Sequence, residues 1–232
     1  MKKQTSFILS AWTCLCLVIA LGCGGKKTTE IDNSQAFDSV KLSPFSGLTA
    51  VGFTHRVKDY AQWLAVYEHN SNPGARISVY SSPDDANLVT VFQLTTSHEA
   101  ARKDFGSDEL KTAMSTAGVT SEPIVTYYDI KFRSEAPSEK IYRIKVMHSV
   151  TNYDQWKKIF DEDEKIRTEA GLELRAVSTS AEDPSIVHIM FATDNVDKAK
   201  DLINSDDLKK RMAEAGVKNQ PELTVYKVPG KK

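Results

Sequence analysis

The chain has 232 residues, of which 41% are hydrophobic and 26% are charged, a composition typical of a globular protein and not of a disordered one. Its 30 basic and 31 acidic residues give a formal net charge of −1, so no strong positive field would hold nucleic acid, and we predict that none is bound. All three cysteines lie within the first 23 residues, which excludes disulfides and Cys-bound metals from the remainder; we predict neither a metal site nor a cofactor.

The first 23 residues have the pattern of a bacterial lipoprotein signal peptide. Lys2 and Lys3 precede an apolar run over 7–21, which as a helix would span only about 22 Å, short of the roughly 30 Å core of a bilayer. The run ends in Ala-Leu-Gly-Cys at 20–23, which is similar to the lipobox that precedes a lipid-modified cysteine. We therefore predict lipid attachment at Cys23 and anchoring in the bacterial cell envelope; a cleaved signal with an accidental cysteine is the alternative. Gly24, in place of the Asp that retains many lipoproteins in the inner membrane, favours the outer membrane, facing the periplasm.

After a polar tether, the chain consists of two similar copies of one sequence. Residues 107–128 align with 205–226 after a shift of 98 without a gap, and 11 of the 22 positions are identical. The pattern His-x-Val-x-x-Tyr-x-Gln-Trp at 55–63 recurs 93 residues later, at 148–156. The two shifts differ by five, so the second copy carries a few extra residues between these blocks. The chain therefore contains a tandem duplication.

Each copy predicts the element order βαββαβ. An alternating strand at 48–57 is followed by an amphipathic helix that places Tyr60, Trp63 and Tyr67 at helical spacing. Two strands at 75–81 and 87–95 come next, then a helical stretch that ends at Gly118, and then a last strand opened by Pro123. The second copy repeats this order, with its first three strands at 141–150, 172–179 and 185–192.

A single copy would form a four-stranded antiparallel sheet with its helices on one face. Apolar residues occupy both odd and even positions along the strands, so both faces of the sheet are apolar. The face without helices therefore also needs a cover, and the second copy can provide it. We predict an α+β fold of two tandem ferredoxin-like βαββαβ repeats packed sheet to sheet as an intramolecular pseudo-dimer, which would be a monomer in solution. The predicted segments are a signal peptide (1–22), a flexible tether (23–47), repeat 1 (48–132), a linker (133–140), repeat 2 (141–228) and a tail (229–232).

These motifs resemble the dimeric α+β barrel superfamily, and within it the proteins grouped with antibiotic-biosynthesis monooxygenases. The resemblance rests on His-x-Val-x-x-Tyr-x-x-Trp in strand 1 and helix 1, and on Ser-Asp-x-Leu-Lys-x-x-Met-x-x-Ala-Gly-Val followed by Pro. It covers 48–131 and 141–228, and it implies the barrel fold more specifically than any activity. Haem-degrading members use an Asn, a Trp and a His in that order, and the Trp residues here lie on the first helix instead, so that activity is not implied.

Four residues in equivalent pairs are the candidate ligand-binding residues. His55 and His148 lie near strand ends, where an imidazole can move protons at neutral pH, and Trp63 and Trp156 could line a pocket for an aromatic ligand. Burial of all four in the hydrophobic core is the alternative. His188 replaces Thr90 in the alignment and breaks the repeat, which gives a weaker hint of a specialised half. The acidic run at 161–164 is interpreted as a solvated helix face.

Three functions stay open from the sequence. The favoured hypothesis is a lipid-anchored module that binds a small apolar molecule or a protein. The second is a cofactor-independent monooxygenase or isomerase that acts on a small apolar or phenolic molecule in the barrel. The third is a structural lipoprotein of the envelope.

Overall fold

The computed structural model describes residues 47–70 and 76–231. The predicted signal peptide, Cys23 and residues 23–46 of the predicted tether lie outside these residues. Repeat 1 contains β1 (Leu48–Arg56), α1 (Tyr60–Asn70), β2 (Arg76–Ser81), β3 (Leu88–Thr95), α2 (His98–Gly106), α3 (Asp108–Thr116) and β4 (Ile124–Arg133). Repeat 2 contains β5 (Tyr142–Ser149), α4 (Tyr153–Glu162), α5 (Glu164–Glu169), β6 (Glu173–Ser180), β7 (Ile186–Thr193), α6 (Val196–Asn204), α7 (Asp206–Glu214) and β8 (Glu222–Lys227). Within the described ranges, no helix combines the length and the apolar character needed to cross a bilayer.

The eight strands form one closed antiparallel barrel in the order β1-β3-β2-β8-β5-β7-β6-β4. Each repeat contributes four consecutive strands in the ferredoxin-like order, with its first strand between its third and its fourth. The predicted fold class is therefore confirmed. The sheets do more than face each other, because their edge strands also pair, which leaves the sheets with few free edges.

The two seams between the repeats are unequal. At one seam β4 pairs with β6 through five residue pairs, from Tyr128↔Ser180 to Arg133↔Ala176. At the other seam β2 pairs with β8 through Ser81↔Lys227 alone. By the shift of 98, Pro229 of repeat 2 corresponds to Lys131 in β4 of repeat 1. Proline has no N–H, so it cannot continue the hydrogen-bond ladder between two strands. A single residue pair therefore closes the barrel between β2 and β8, and we call this the open seam.

The first thirteen residues of the repeated block, 107–119 and 205–217, form in each copy a complete helix with both of its ends. The hydroxyl of Ser107 accepts a hydrogen bond from the amide of Leu110 at 3.2 Å, and Ser205 accepts one from Leu208 at 3.3 Å. At the other end Gly118 has φ +83° and Gly216 has φ +79°, values that glycine adopts without strain. The Ser-Asp at the start of each segment therefore begins the helix, and the Ala-Gly at its end terminates it.

The hydrophobic core lies mainly between the helices and the outer face of the barrel. In β1 the side chains of Val51, Phe53 and His55 turn toward the helices, and those of the alternate residues turn into the barrel. One apolar cluster joins Phe53, Trp63, Val89 and Val91 in repeat 1, and a larger one occupies the equivalent place in repeat 2. The barrel interior holds a smaller cluster around Ala50, Tyr128 and Ile130. The interior is therefore less completely filled than the two helix-side cores.

Candidate functional site in the barrel

A cavity of about 840 Å³ extends from the barrel interior past the open seam to α1 and to the linker after β4. Its size is that of a typical small-molecule site. Residues of β2 and the segment after β8 line its seam side, including Tyr80, Val228 and Pro229. Inward-facing residues of both repeats line its inner part, namely Ala50, Ser78, Tyr80, Phe92, Tyr128, Ile130, Arg143, Lys145, Ala176, Ser178, His188 and Met190.

The two repeats contribute different chemistry to this lining. Ala50, Gly52 and Thr90 in repeat 1 correspond by the repeat shifts to Arg143, Lys145 and His188 in repeat 2. The strand registers agree, because Gly52 pairs with Phe92 and Lys145 pairs with Met190, the residue equivalent to Phe92. Three small residues of one half are thus replaced by three basic residues in the other. The duplicated fold has an asymmetric interior.

The half of the lining that repeat 1 supplies is aromatic. The ring of Phe92 lies 5.9 Å from that of Tyr128 and 6.1 Å from that of Tyr80, centroid to centroid. Gly52 allows this packing, since a Cβ at its position would lie 2.9 Å from carbons of both Phe92 and Tyr128. Burial raises the pKa of the Tyr128 hydroxyl to about 12, so this phenol is neutral at physiological pH.

His188 faces the aromatic half from β7. Its ring meets that of Tyr128 edge-on, with the centroids 4.9 Å apart. Only 5% of the residue is exposed, and neither ring nitrogen has a hydrogen-bond partner among the residues that the structure describes. Burial, and to a smaller extent the charges of Lys145 and His148, lower the pKa of His188 to about 4. His188 is thus a neutral imidazole on the wall of the cavity, and both of its ring nitrogens are buried.

Lys145 and Arg143 lie on the same inward face of β5. Lys145 is half-buried, and burial lowers the pKa of its ammonium, which the charge of Glu222 offsets only in part. Across the described ranges, no ion pair or hydrogen bond engages this ammonium. The guanidinium of buried Arg143 donates to the carbonyls of Lys140 and Tyr142 at 2.9 and 3.0 Å. Neither cation has a carboxylate partner in this part of the chain.

The four residues predicted from sequence lie on the other side of the sheets. His55 packs edge-on against Trp63 with ring centroids 5.4 Å apart, and His148 packs against Trp156 at 5.7 Å. The structure therefore brings each predicted pair together, in the helix-side cores. His148 and Trp156 border a second cavity of about 70 Å³, large enough only for very small molecules. The large barrel cavity is lined by none of the four, and their role in ligand binding stays a prediction.

The two predicted histidines are buried without hydrogen-bond partners. His55 is 2% exposed and His148 4%, and no partner for any of their ring nitrogens is found among the described residues. Burial lowers the pKa of each imidazole to about 4, so both are neutral at physiological pH.

The acidic run at 161–164 is only partly the solvated face that the sequence indicated. Asp161, Glu162 and Glu164 are exposed, but Asp163 is buried and accepts hydrogen bonds from the guanidinium of Arg211 at 3.0 to 3.3 Å. The interpretation was wrong for Asp163, because the end of α4 turns this carboxylate toward α7. Over the described part of the chain, no group of three or more His, Cys, Asp or Glu side chains is placed to hold a metal ion.

Sequence reasoning gave His188 little weight and missed Lys145 and Arg143 altogether. A signal for all three was available in the repeat itself. Once the strands are known, every inward-facing residue of one copy can be compared with its equivalent in the other. The basic replacements at 143, 145 and 188 are then a cluster rather than three unrelated changes.

Comparison with known proteins identifies the fold. No protein-family model and no curated protein sequence matches the chain. A solved structure of a candidate monooxygenase from Lactobacillus acidophilus NCFM superposes with a TM-score of 0.51 at 9% identity, over 77% of this chain and 93% of that one. An anthrone oxidase-like protein gives a TM-score of 0.50 at 13% identity, over 79% and 92%. A candidate chlorite dismutase gives 0.52 at 12% identity, over 78% and 94%.

These similarities agree with the resemblance found in the sequence. At such low identities the superpositions establish the fold and leave the activity open. The chain has the dimeric α+β barrel fold. Here both halves of the barrel belong to one polypeptide.

Proposed function

We propose that this protein binds a small aromatic molecule in its barrel cavity and is held at the envelope membrane by a lipid on Cys23. The observation that supports binding is the asymmetric lining, in which aromatic residues of repeat 1 face Arg143, Lys145 and His188 of repeat 2 around a cavity of about 840 Å³. Small-molecule sites are typically apolar cavities with a few polar groups that fix the ligand, and this lining has that character. A structural lipoprotein has no need of this arrangement.

Ligand-induced stabilisation tests the binding function. The full-length protein is heated with and without a panel of phenols, quinones and flavins, and we expect at least one aromatic compound to raise the melting temperature. Ser178→Tyr is the variant to compare, because it places in repeat 2 the residue that repeat 1 carries at the equivalent position, Tyr80, and so fills the cavity. This variant should stay folded and lose the shift. If no compound of the panel raises the melting temperature, the proposal is contradicted.

The lipid anchor is proposed from the sequence, since Cys23 lies outside the described residues. Replacing Cys23 with Ala removes the only thiol in the lipobox-like segment, so the variant should move from the membrane fraction to the soluble fraction of the periplasm. Cys16→Ala is the control, because Cys16 lies within the apolar run and should not affect anchoring. An unchanged membrane-bound fraction for Cys23→Ala would show that the anchor is elsewhere.

An enzyme is the second candidate, and His188 is the observation that favours it. Its imidazole is neutral and lies on the cavity wall beside the phenol ring of Tyr128. Two proteins with TM-scores of 0.50 or more are described as a candidate monooxygenase and as anthrone oxidase-like. If this protein is an oxygenase, it should consume O₂ when it is given a phenol or an anthrone, and His188→Thr should abolish that consumption even at ligand concentrations that saturate the variant. If the protein binds such a compound but consumes no O₂, the enzyme hypothesis is wrong and the binding function stands.

A further inference from the structure

The charges around the barrel cavity are not balanced. Arg175 pairs with Glu173 at 2.8 Å and Lys231 pairs with Glu139 at 2.7 Å, so the outer cations of the lining are neutralised locally. Lys145 and Arg143 are the cations of the inner face, and neither is paired with a carboxylate in the part of the chain that the structure describes. The lining therefore carries a net positive charge in its interior.

The carboxylates near the cavity offset this charge only in part. Glu68 belongs to α1, outside the barrel, and Glu135 lies in the linker, where it pairs with Arg133 at 4.0 Å. Glu222 of β8 is a diagonal neighbour of Lys145, since Lys145 pairs with Thr224, and its charge offsets the effect of burial on the pKa of Lys145 only in part. No carboxylate among the described residues forms an ion pair with Lys145, so a ligand can supply one.

The position of this charge relative to the aromatic rings defines a ligand shape. Lys145 pairs with Met190 across the sheet, and His188 lies two residues from Met190 on the same inward face, so Lys145 and His188 are diagonal neighbours. His188 in turn touches Tyr128, which belongs to the aromatic half with Tyr80 and Phe92. A molecule of the size of this cavity can hence place a ring on the repeat 1 side and a polar group beside Lys145.

From this geometry we infer that the ligand is an aromatic carboxylate. Its ring packs against Tyr80, Phe92 and Tyr128, and its carboxylate accepts a hydrogen bond from the ammonium of Lys145. A half-buried ammonium without a partner is unfavourable, and a carboxylate removes that cost and gains a charge-assisted hydrogen bond. The inference rests on the proposed binding function and specifies the chemical class of its ligand.

Three matched probes test this inference on the full-length protein in mild detergent. 2-Naphthoate is an aromatic anion, 2-naphthamide is its neutral counterpart, and decahydro-2-naphthoate is a saturated anion of similar size. Titration calorimetry should show 2-naphthoate binding about tenfold tighter or more than either of the other two, because only it satisfies both halves of the cavity.

Lys145→Met should remove the preference for the anion. We expect 2-naphthoate to lose about tenfold or more in affinity while 2-naphthamide keeps its own, and Lys145→Arg to retain the preference. Lys131→Met is the matched control, since Lys131 is an exposed lysine of β4 and its replacement should change neither affinity.

The failures of the two proposals can be told apart. Equal affinities of 2-naphthoate and 2-naphthamide, or an anion preference that survives Lys145→Met, would overturn the carboxylate assignment and leave aromatic binding in place. The same holds if decahydro-2-naphthoate binds as tightly as 2-naphthoate, since the aromatic lining would then contribute nothing. Absence of binding by all three probes would overturn both this inference and the proposed function.

Discussion

At the scale of single residues, the buried histidines of this protein are unusual because their ring nitrogens have no hydrogen-bond partner among the described residues. Three histidines, His55, His148 and His188, are almost fully buried, and their ring nitrogens have no partner among the described residues. His55 and His148 lie in apolar cores, where an imidazole contributes packing but no hydrogen bond. His188 differs because it borders a cavity. Burial alone thus does not distinguish a core histidine from a ligand-binding one.

The unpartnered core histidines should make stability depend on pH. Above pH 6.5 the imidazole of His55 is neutral in both states; between pH 6.5 and about 4 only the unfolded chain takes up the proton, so the free energy of unfolding falls as the pH falls. His55→Leu should therefore be close to neutral at pH 7 and gain about 2 kcal/mol over the natural protein at pH 5. Chemical denaturation at both pH values measures this.

His148→Leu is the matched variant in repeat 2, where burial lowers the pKa to the same value of about 4. It should show the same gain at low pH, since His148 packs against Trp156 as His55 packs against Trp63. If the stabilities of variant and natural protein change in parallel with pH, these imidazoles are not buried as the structure indicates.

Gly52 is the residue on which the aromatic half of the cavity depends. Gly52→Ala would place a methyl group 2.9 Å from carbons of Phe92 and Tyr128, so the rings must move, at a cost of about 1 to 3 kcal/mol in unfolding free energy. Gly106→Ala is the control, because nothing lies within 4 Å of a Cβ there and the glycine is helical. Equal effects of the two substitutions, measured by denaturation, would contradict the described packing.

At the scale of secondary-structure elements, the two repeats differ most at the ends of the barrel strands. β4 runs to Arg133 and pairs with β6 over five residue pairs, whereas β8 ends at Lys227 and pairs with β2 at one position. Pro229 prevents the ladder from continuing on that side. The open seam gives the interior cavity its connection to the outside.

Hydrogen exchange should detect this difference between the seams. Backbone amides of β8 near Lys227 lack the cross-seam hydrogen bonds that protect the equivalent amides of β4, and should exchange faster. Pro229→Lys, which restores the residue that β4 carries at the equivalent position, should slow this exchange by letting the ladder extend. Equal protection of β4 and β8 in the natural protein would show that the seam is closed in solution.

At the scale of the whole molecule, one chain builds the complete barrel from its two repeats. Each sheet uses the other repeat to cover its inner face and to pair its edge strands. Either repeat alone would expose the inner residues around Tyr128 or those around His188, together with two unpaired edges. Fusion also allows the halves to diverge, so that one side of the cavity is aromatic and the other basic.

The pseudo-dimer predicts the state of association. A fragment from residue 46 onward should sediment as a monomer at micromolar concentration, because the barrel is already closed within one chain. Repeat 1 or repeat 2 produced separately should dimerise or aggregate through its uncovered sheet. A separate repeat that sediments as a well-folded monomer would show that the second copy is not required as a cover.

The sequence alone was sufficient to predict the architecture of this protein. The duplication, the βαββαβ order and the need to cover a sheet with two apolar faces all follow from local patterns, since helix ends, strand alternation and turns are encoded within a few residues. The limits of the predicted domains and the lipid anchor remain predictions from those same patterns. The pairing of His55 with Trp63 also follows from local spacing, because a strand end and the next helix are neighbours in the chain.

The barrel site was decided by the tertiary structure. Lys145, His188 and Tyr128 come from three strands that are distant in sequence, and only the closed barrel places them around one cavity. Strand alternation assigns residues to two faces without showing which face the helices cover, and for this reason His55 and His148 were favoured over His188. A gap between β2 and β8 likewise depends on how two edges meet, which no local pattern determines.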